Sequence, residues 1–136
     1  MADHMIDLSK VKSDMFILGG VTDHITPWKA TYRSTQLFGG KDITYVLSQS
    51  GHMQAILNPP GNPKAKYYVQ KKKGKLPKTA DEWLQGTEEV AGSWWPYWME
   101  WMQKRSGNKK TAPESVGDDV YAPLDPAPGL YVVEER

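Results

Sequence analysis

Met15-Phe16-Ile17-Leu18-Gly19-Gly20-Val21 decides how the first half of this chain is read. The run is continuously apolar and bounded by polar residues, which is the pattern of a strand buried on both faces inside a parallel sheet. A polar loop follows, Thr22-Asp23-His24-Ile25-Thr26. Thr26 then offers an N-cap and Pro27 a first helical residue, so a helix is expected over about residues 28–37. Gly39-Gly40 is a fitting stop, because glycine tolerates the left-handed conformation that ends many helices. Ile43-Thr44-Tyr45-Val46-Leu47 is rich in β-formers and reads as a second strand. It runs into the turn-rich Ser48-Gln49-Ser50-Gly51-His52. Strand, helix and strand at this spacing make a βαβ unit, so the two strands are expected to be parallel.

The second half has a different character. Asn58-Pro59-Pro60-Gly61-Asn62-Pro63 is incompatible with a helix or a central strand. A basic stretch from Lys64 to Lys78 holds seven lysines. Such a run is commonly a solvated loop; its other reading is contact with the phosphates of a nucleotide-like substrate. Thr79-Ala80-Asp81-Glu82 has capping-box spacing and should open a short helix through Trp83 and Leu84. Ser93 is expected to cap a longer helix ending near Arg105, with Trp94, Trp98, Trp101 and Met102 on one apolar face. Tryptophans at helical spacing usually serve as core or interface, although they can also form a carbohydrate or lipid platform. From Asn108 onward Pro, Gly and charged residues dominate, and an extended surface tail is expected, held by Leu130, Tyr131 and Val132.

Composition narrows the function classes. The chain has 136 residues, a formal charge of +1 and 39% hydrophobic residues, which fits one domain with a modest core. Charge so near neutrality gives no overall pull toward nucleic acid or an anionic membrane. No apolar run is long enough to span a bilayer, and the first residues lack the pattern of a signal peptide, so a cytoplasmic location is the default. With no cysteine and three scattered histidines, disulfides and a metal site are not expected, and a cysteine nucleophile is absent from these residues.

Functional groups on parallel α/β sheets gather on the loops beyond the C-terminal ends of strands. Asp23 and His52 both lie there, 29 residues apart, one strand-helix-strand step. Adjacent parallel strands are about 4.8 Å apart, so the two loops can meet. The carboxylate would then accept a hydrogen bond from one imidazole nitrogen and fix the tautomer, leaving the other nitrogen to take a proton from a nucleophile. A histidine in such a turn often does no more than fill it. His24 is a rival to His52, but it follows Asp23 directly and is better suited to buttressing the loop; His4 lies close to the N-terminus. The order acid then histidine on successive strands is that of α/β-hydrolases, whose nucleophile sits upstream on an elbow. No G-x-S-x-G or G-x-C-x-G elbow occurs here.

The wording of several segments closely resembles one family, the polyhydroxyalkanoate synthases. Gly20-Val21-Thr22-Asp23-His24-Ile25-Thr26-Pro27-Trp28 resembles the acid-bearing motif, and Val46-Leu47-Ser48-Gln49-Ser50-Gly51-His52 the histidine motif. Tyr32-Arg33-Ser34, Leu37-Phe38-Gly39-Gly40 and the run from Ile56 to Lys64 continue the similarity. So do Asp81-Glu82-Trp83-Leu84, Gly92-Ser93-Trp94-Trp95-Pro96, Arg105-Ser106-Gly107 and the segment from Pro126 to Val132, the last of these in the style of single-subunit-type synthases.

The resemblance implies the C-terminal portion of an α/β-hydrolase fold, two parallel strands with a connecting helix, over residues 1–63. Residues 64–136 would be a family-type extension with a basic loop, a Trp-rich helix and an extended tail. It implies an acyltransferase that polymerises (R)-3-hydroxyacyl groups from coenzyme A thioesters into storage polyester, with Asp23 and His52 completing a Cys-His-Asp triad whose nucleophile is elsewhere: His52 is expected to deprotonate the cysteine, and Asp23 to assist His52 or to activate the substrate hydroxyl. No cofactor is expected beyond the coenzyme A of the substrate. The expected partners are that thioester, the growing polyester chain and granule surface in the cytoplasm, and a second copy in a homodimer, with no nucleic acid and no membrane span. The missing elbow implies a fragment or a truncated reading frame, inactive alone. A fragment of another α/β-hydrolase, such as an esterase, and a non-catalytic granule- or partner-binding module are the two other readings. The resemblance does not convey which monomer chain length is accepted.

Overall fold

A computed structural model describes residues 5–72 and 74–134; His4 and Lys73 lie outside the described residues. The chain divides into two compact units, residues 1–105 and 106–136.

The first unit is an α/β fold with helices on both faces of a four-stranded mixed sheet. The expected βαβ unit is present: β1 (Met15–Gly20), α1 (Trp28–Ser34) and β2 (Ile43–Ser48), with β1 and β2 parallel in the register Met15↔Ile43 through Gly20↔Ser48. A short α2 (His52–Ile56) follows β2. Two further strands, β3 (Lys66–Gln70) and β4 (Thr87–Ala91), add in antiparallel fashion, giving the order β1-β2-β3-β4. Helix α3 (Ala80–Gln85) connects β3 to β4, and α4 (Trp95–Gln103) closes the unit.

The sheet is thus larger than the two strands expected, and part of the basic stretch is strand, not loop. Tyr67 and Val69 are buried while Lys66, Tyr68 and Gln70 are half-buried, the alternation of a strand with one face on a core. The sheet also continues past Pro63, since β3 pairs with β2.

Alternation along β2 sorts the two cores. Tyr45 and Leu47 face α1 and α3 and pack with Tyr32, Ala80 and Trp83. Tyr45 meets Trp83 edge-on at 4.9 Å and Tyr32 edge-on at 5.0 Å, the arrangement that aromatic quadrupoles favour. The Tyr45 hydroxyl bonds the Trp28 carbonyl at 2.9 Å, and burial pushes this phenol up to about 12, so it remains a donor at any physiological pH. Gly19 leaves room for that hydroxyl; a β-carbon there would collide with it. On the opposite face Val46, Tyr67 and Val69 pack with Trp94, Phe16 and Tyr97.

Several local expectations need correction. Helix α1 ends at Ser34, because the amides of Thr35, Gln36 and Leu37 bond the carbonyls three residues back and tighten the chain into turns. Gly39 and Gly40 do not end it in a left-handed conformation; they admit the backbone of Ser9 and Ser13, which a β-carbon at either would strike. Thr26 is not the cap of α1: Pro27 holds that position, without a side-chain bond. Helix α3 does open with the capping box, Thr79 Oγ1 accepting from the Glu82 amide and Glu82 from the Thr79 amide, both at 3.2 Å. Helix α4 runs to Gln103 with Trp94 at its N-cap position, and Ser93 Oγ accepts from the Trp95 amide at 3.0 Å. Of its apolar stripe Trp94 is buried, whereas Trp98 and Met102 are exposed. Arg105, just beyond, bonds Asp14 and Asp42, the residues preceding β1 and β2, while its guanidinium lies 4.0 Å from the Trp101 ring centre.

In the second unit Leu130–Val132 form a 3-10 turn, and their side chains are exposed instead of serving as anchors within it. Among the described residues no helix is long and apolar enough to cross a membrane.

Candidate active site

The two parallel strands carry their pairing on into the loops beyond them. The Val21 amide bonds the Ser48 carbonyl at 2.9 Å and the Thr22 amide the Ser50 carbonyl at 3.2 Å. These bonds tie the loop bearing Asp23 to the loop bearing His52. Gly20 allows the approach, since a β-carbon on it would stand 2.7 Å from the Ser50 carbonyl oxygen and 3.0 Å from the Ala55 β-carbon.

Asp23 and His52 are brought together. Nδ1 of His52 lies 2.8 Å from Oδ2 of Asp23. The Asp23 side chain is only 6% exposed, whereas the His52 side chain is 37% exposed. Three further donors converge on the carboxylate. Oδ1 accepts the amides of Ile25 and Thr26, each at 2.9 Å, and Oδ2 accepts the Thr26 hydroxyl at 2.7 Å. These bonds, that of the Thr26 amide foremost, hold the Asp23 carboxyl well below the usual carboxylate range despite its burial. A carboxylate is acceptor-only, so Nδ1 of His52 is the donor. In neutral imidazole the proton is then on Nδ1, and Nε2 presents its lone pair. Nε2 makes no hydrogen bond to any described residue.

His24 does not buttress the loop: it is exposed, and its side chain bonds no described residue. The residues that do hold the site were not evident as site residues in the sequence. Thr26 is one, and the signal for it was its position three residues after an aspartate, where a hydroxyl and an amide can both turn back onto the carboxylate. The Trp-rich segment supplies others. Ser93 Oγ donates to the Asn58 carbonyl, the Trp94 indole to Ala55 at 2.8 Å, and the Trp95 indole to Ile56 at 3.0 Å. Three successive side chains therefore satisfy carbonyls at and just after the end of the helix that begins with His52.

A cavity of about 60 Å³ adjoins the pair, lined by Leu18, Gly20, Thr26, Ala55 and Ile56 besides Asp23 and His52. A larger one of about 380 Å³, which includes Trp28, Leu47, Tyr68 and Glu89, lies on the sheet face of Tyr45 and Trp83. The exposed lysines Lys71, Lys72, Lys75 and Lys78 follow the far end of β3, because β3 runs antiparallel to β2 and starts beside Gln49. Lys71 and Lys72, which directly follow β3, therefore lie toward the end of the sheet opposite Asp23 and His52. Among the described residues no three His, Cys, Asp or Glu side chains cluster as metal ligands.

No family model matches the chain. Curated proteins do. The chain is 50% identical over 128 residues to poly(3-hydroxyalkanoate) polymerase 2 of Ectopseudomonas oleovorans, covering 94% of this chain and 22% of that protein. It is 46% identical over 129 residues to poly(3-hydroxyalkanoate) polymerase 1 of the same organism, covering 95% and 22%. It is 39% identical over 127 residues to the poly(3-hydroxyalkanoate) polymerase subunit PhaC of Cupriavidus necator, covering 93% and 21%. The chain thus spans about a fifth of the length of these relatives. Over nearly all of its length the chain is therefore similar to proteins named poly(3-hydroxyalkanoate) polymerase, and it matches a C-terminal part of them.

Proposed function

We propose that this chain is the C-terminal part of an α/β-hydrolase-type catalytic domain that polymerises (R)-3-hydroxyacyl groups from coenzyme A thioesters, and that Asp23 and His52 are its acid and base. The 2.8 Å contact between His52 Nδ1 and Asp23 Oδ2, with Nε2 left available, carries this reading. The names of the relatives support the 3-hydroxyalkanoate polymer as product, and the coenzyme A thioester is what the resemblance of the motifs implies.

In the intact enzyme Nε2 of His52 takes the proton of a cysteine thiol contributed by another part of the protein. The thiolate sulfur bonds the thioester carbonyl carbon, the bond from that carbon to the coenzyme A sulfur breaks, and the imidazolium returns the proton to the departing thiolate. In the next half-reaction His52 takes the proton of a 3-hydroxyl group as its oxygen attacks the acyl-enzyme. An ester forms, and the cysteine sulfur leaves and regains the proton. Asp23 works through His52, fixing its tautomer and offsetting the positive charge that each half-reaction develops. No cofactor is required beyond the coenzyme A of the substrate. The same reading includes a cytoplasmic enzyme at the surface of polyester granules, working as a homodimer.

Replacing His52 by Ala in an intact polymerase that contains this sequence tests the assignment. Coenzyme A release is expected to fall by about a thousandfold or more. The 136-residue chain by itself contains no cysteine and is expected to release none. Turnover near wild type in the His52→Ala enzyme refutes the proposed role.

A further inference from the structure

Asp23 Oδ2 carries two donors at nearly equal distance, the His52 imidazole at 2.8 Å and the Thr26 hydroxyl at 2.7 Å. Oδ1 is occupied by the amides of Ile25 and Thr26. The acid loop therefore fixes its own carboxylate with three bonds drawn from residues two and three positions downstream, and His52 meets an acceptor already aimed at it. A carboxylate held only by the imidazole would be free to rotate about its side-chain torsions.

We infer that Thr26 is a positioning residue of the reaction, whose hydroxyl holds Oδ2 of Asp23 on line with His52 Nδ1 and shares that oxygen with it. The inference rests on the proposed roles of Asp23 and His52. Sharing has a chemical consequence: an oxygen bonded to two donors accepts less strongly from each than it would from one. Thr26 thus orients the dyad and at the same time moderates the pull of Asp23 on the imidazolium. The bonds of Thr26 also contribute to the low proton affinity of Asp23. Among the described residues no other ionisable side chain lines the cavity of the pair, whose remaining walls include Leu18, Gly20, Ala55 and Ile56. Helix α2 and strand β1 carry no charged residue, and His24 in the same loop is exposed. The pH response of the dyad therefore reports on Asp23, His52 and Thr26, together with the cysteine thiol that the proposed reaction brings to Nε2.

The test compares Thr26→Val, which keeps the shape and removes the hydroxyl, with Thr26→Ser, which keeps the hydroxyl, both in the intact polymerase with 3-hydroxybutyryl coenzyme A. For Thr26→Val, kcat is expected to fall about tenfold with KM changed by less than about twofold. The acid limb of its kcat/KM profile should move to higher pH, because Oδ2 then serves the imidazole alone. Thr26→Ser should restore both kcat and the wild-type limb. An unchanged pH profile and kcat in Thr26→Val overturns the inference. So does equal impairment in Thr26→Val and Thr26→Ser, which would mean that keeping the hydroxyl rescues nothing. His52→Ala, measured beside them, separates the two levels. If that enzyme stays active the reading of the dyad fails; if it is inactive while Thr26→Val behaves as wild type, only the role of Thr26 fails.

Discussion

Gly20 and Ser50 sit in such close contact that a β-carbon on Gly20 would stand 2.7 Å from the Ser50 carbonyl oxygen. Gly20 ends the strand before the acid loop, and Ser50 lies in the turn before His52. The same β-carbon would reach 3.0 Å from Ala55 and 3.3 Å from the β-carbon of Asp23. One missing methyl group thus sets how closely acid and base approach.

Gly20→Ala is therefore expected to injure the site more than the fold. Its methyl meets backbone, not a yielding side-chain tip, so the turn before His52 must move. A destabilisation of about 1–3 kcal/mol is expected, together with a loss of turnover larger than that figure explains. Thermal unfolding and coenzyme A release measured on the same intact enzyme check both parts.

Asp23 makes stability depend on acid. Its folded carboxyl ionises below the ordinary range, held there first by the Thr26 amide and then by the Thr26 hydroxyl, His52 and the Ile25 amide. A group with a depressed folded value contributes stability that is complete above its unfolded value, about 3.9, and is lost as pH falls toward the folded one. Denaturant midpoints should therefore decline from about pH 4 downward in the wild type. Asp23→Asn should be less stable at neutral pH and show a flatter profile in that window. Parallel profiles for the two proteins would contradict this account.

Trp95 should matter to His52 despite lying far along the chain. Its indole donates to the Ile56 carbonyl at 3.0 Å, next to the bond from Trp94 to Ala55. Trp95→Phe keeps an aromatic ring and removes the donor, at a cost of about 1 kcal/mol. Faster amide hydrogen exchange in residues 52–58 than in wild type is the expected signature. Exchange that is unchanged there would show that the indole does not hold the helix.

Much of this was legible in sequence because it is local. The apolar run from Met15, the β-formers from Ile43 and the spacing between them are enough for two parallel strands, since a right-handed crossover admits little else. The capping box at Thr79 was legible for the same reason: its donors and acceptors lie within four residues. Strand β3 escaped because lysines flank Tyr67-Tyr68-Val69, and β4 because its side chains include Glu88 and Glu89 on a sheet edge. Both are strands by virtue of pairing with residues distant along the chain, Ser48 with Tyr67 and Tyr67 with Val90. Thr26 shows a different failure. Its position before Pro27 suits a helix cap, and a nearby carboxylate claimed its hydroxyl instead.

By itself, then, the amino-acid order determined the strand-helix-strand unit and placed Asp23 and His52 one step apart at the same sheet edge. Those outcomes follow from periodicity and from the short reach of the connecting chain. Only the tertiary structure decided that the second half supplies two strands, that Thr26 turns back on Asp23, and that Trp94 and Trp95 grip the helix of His52. Each of these depends on which hydrogen-bond partner is nearest once the chain has closed on itself, and that competition has no counterpart along the linear sequence.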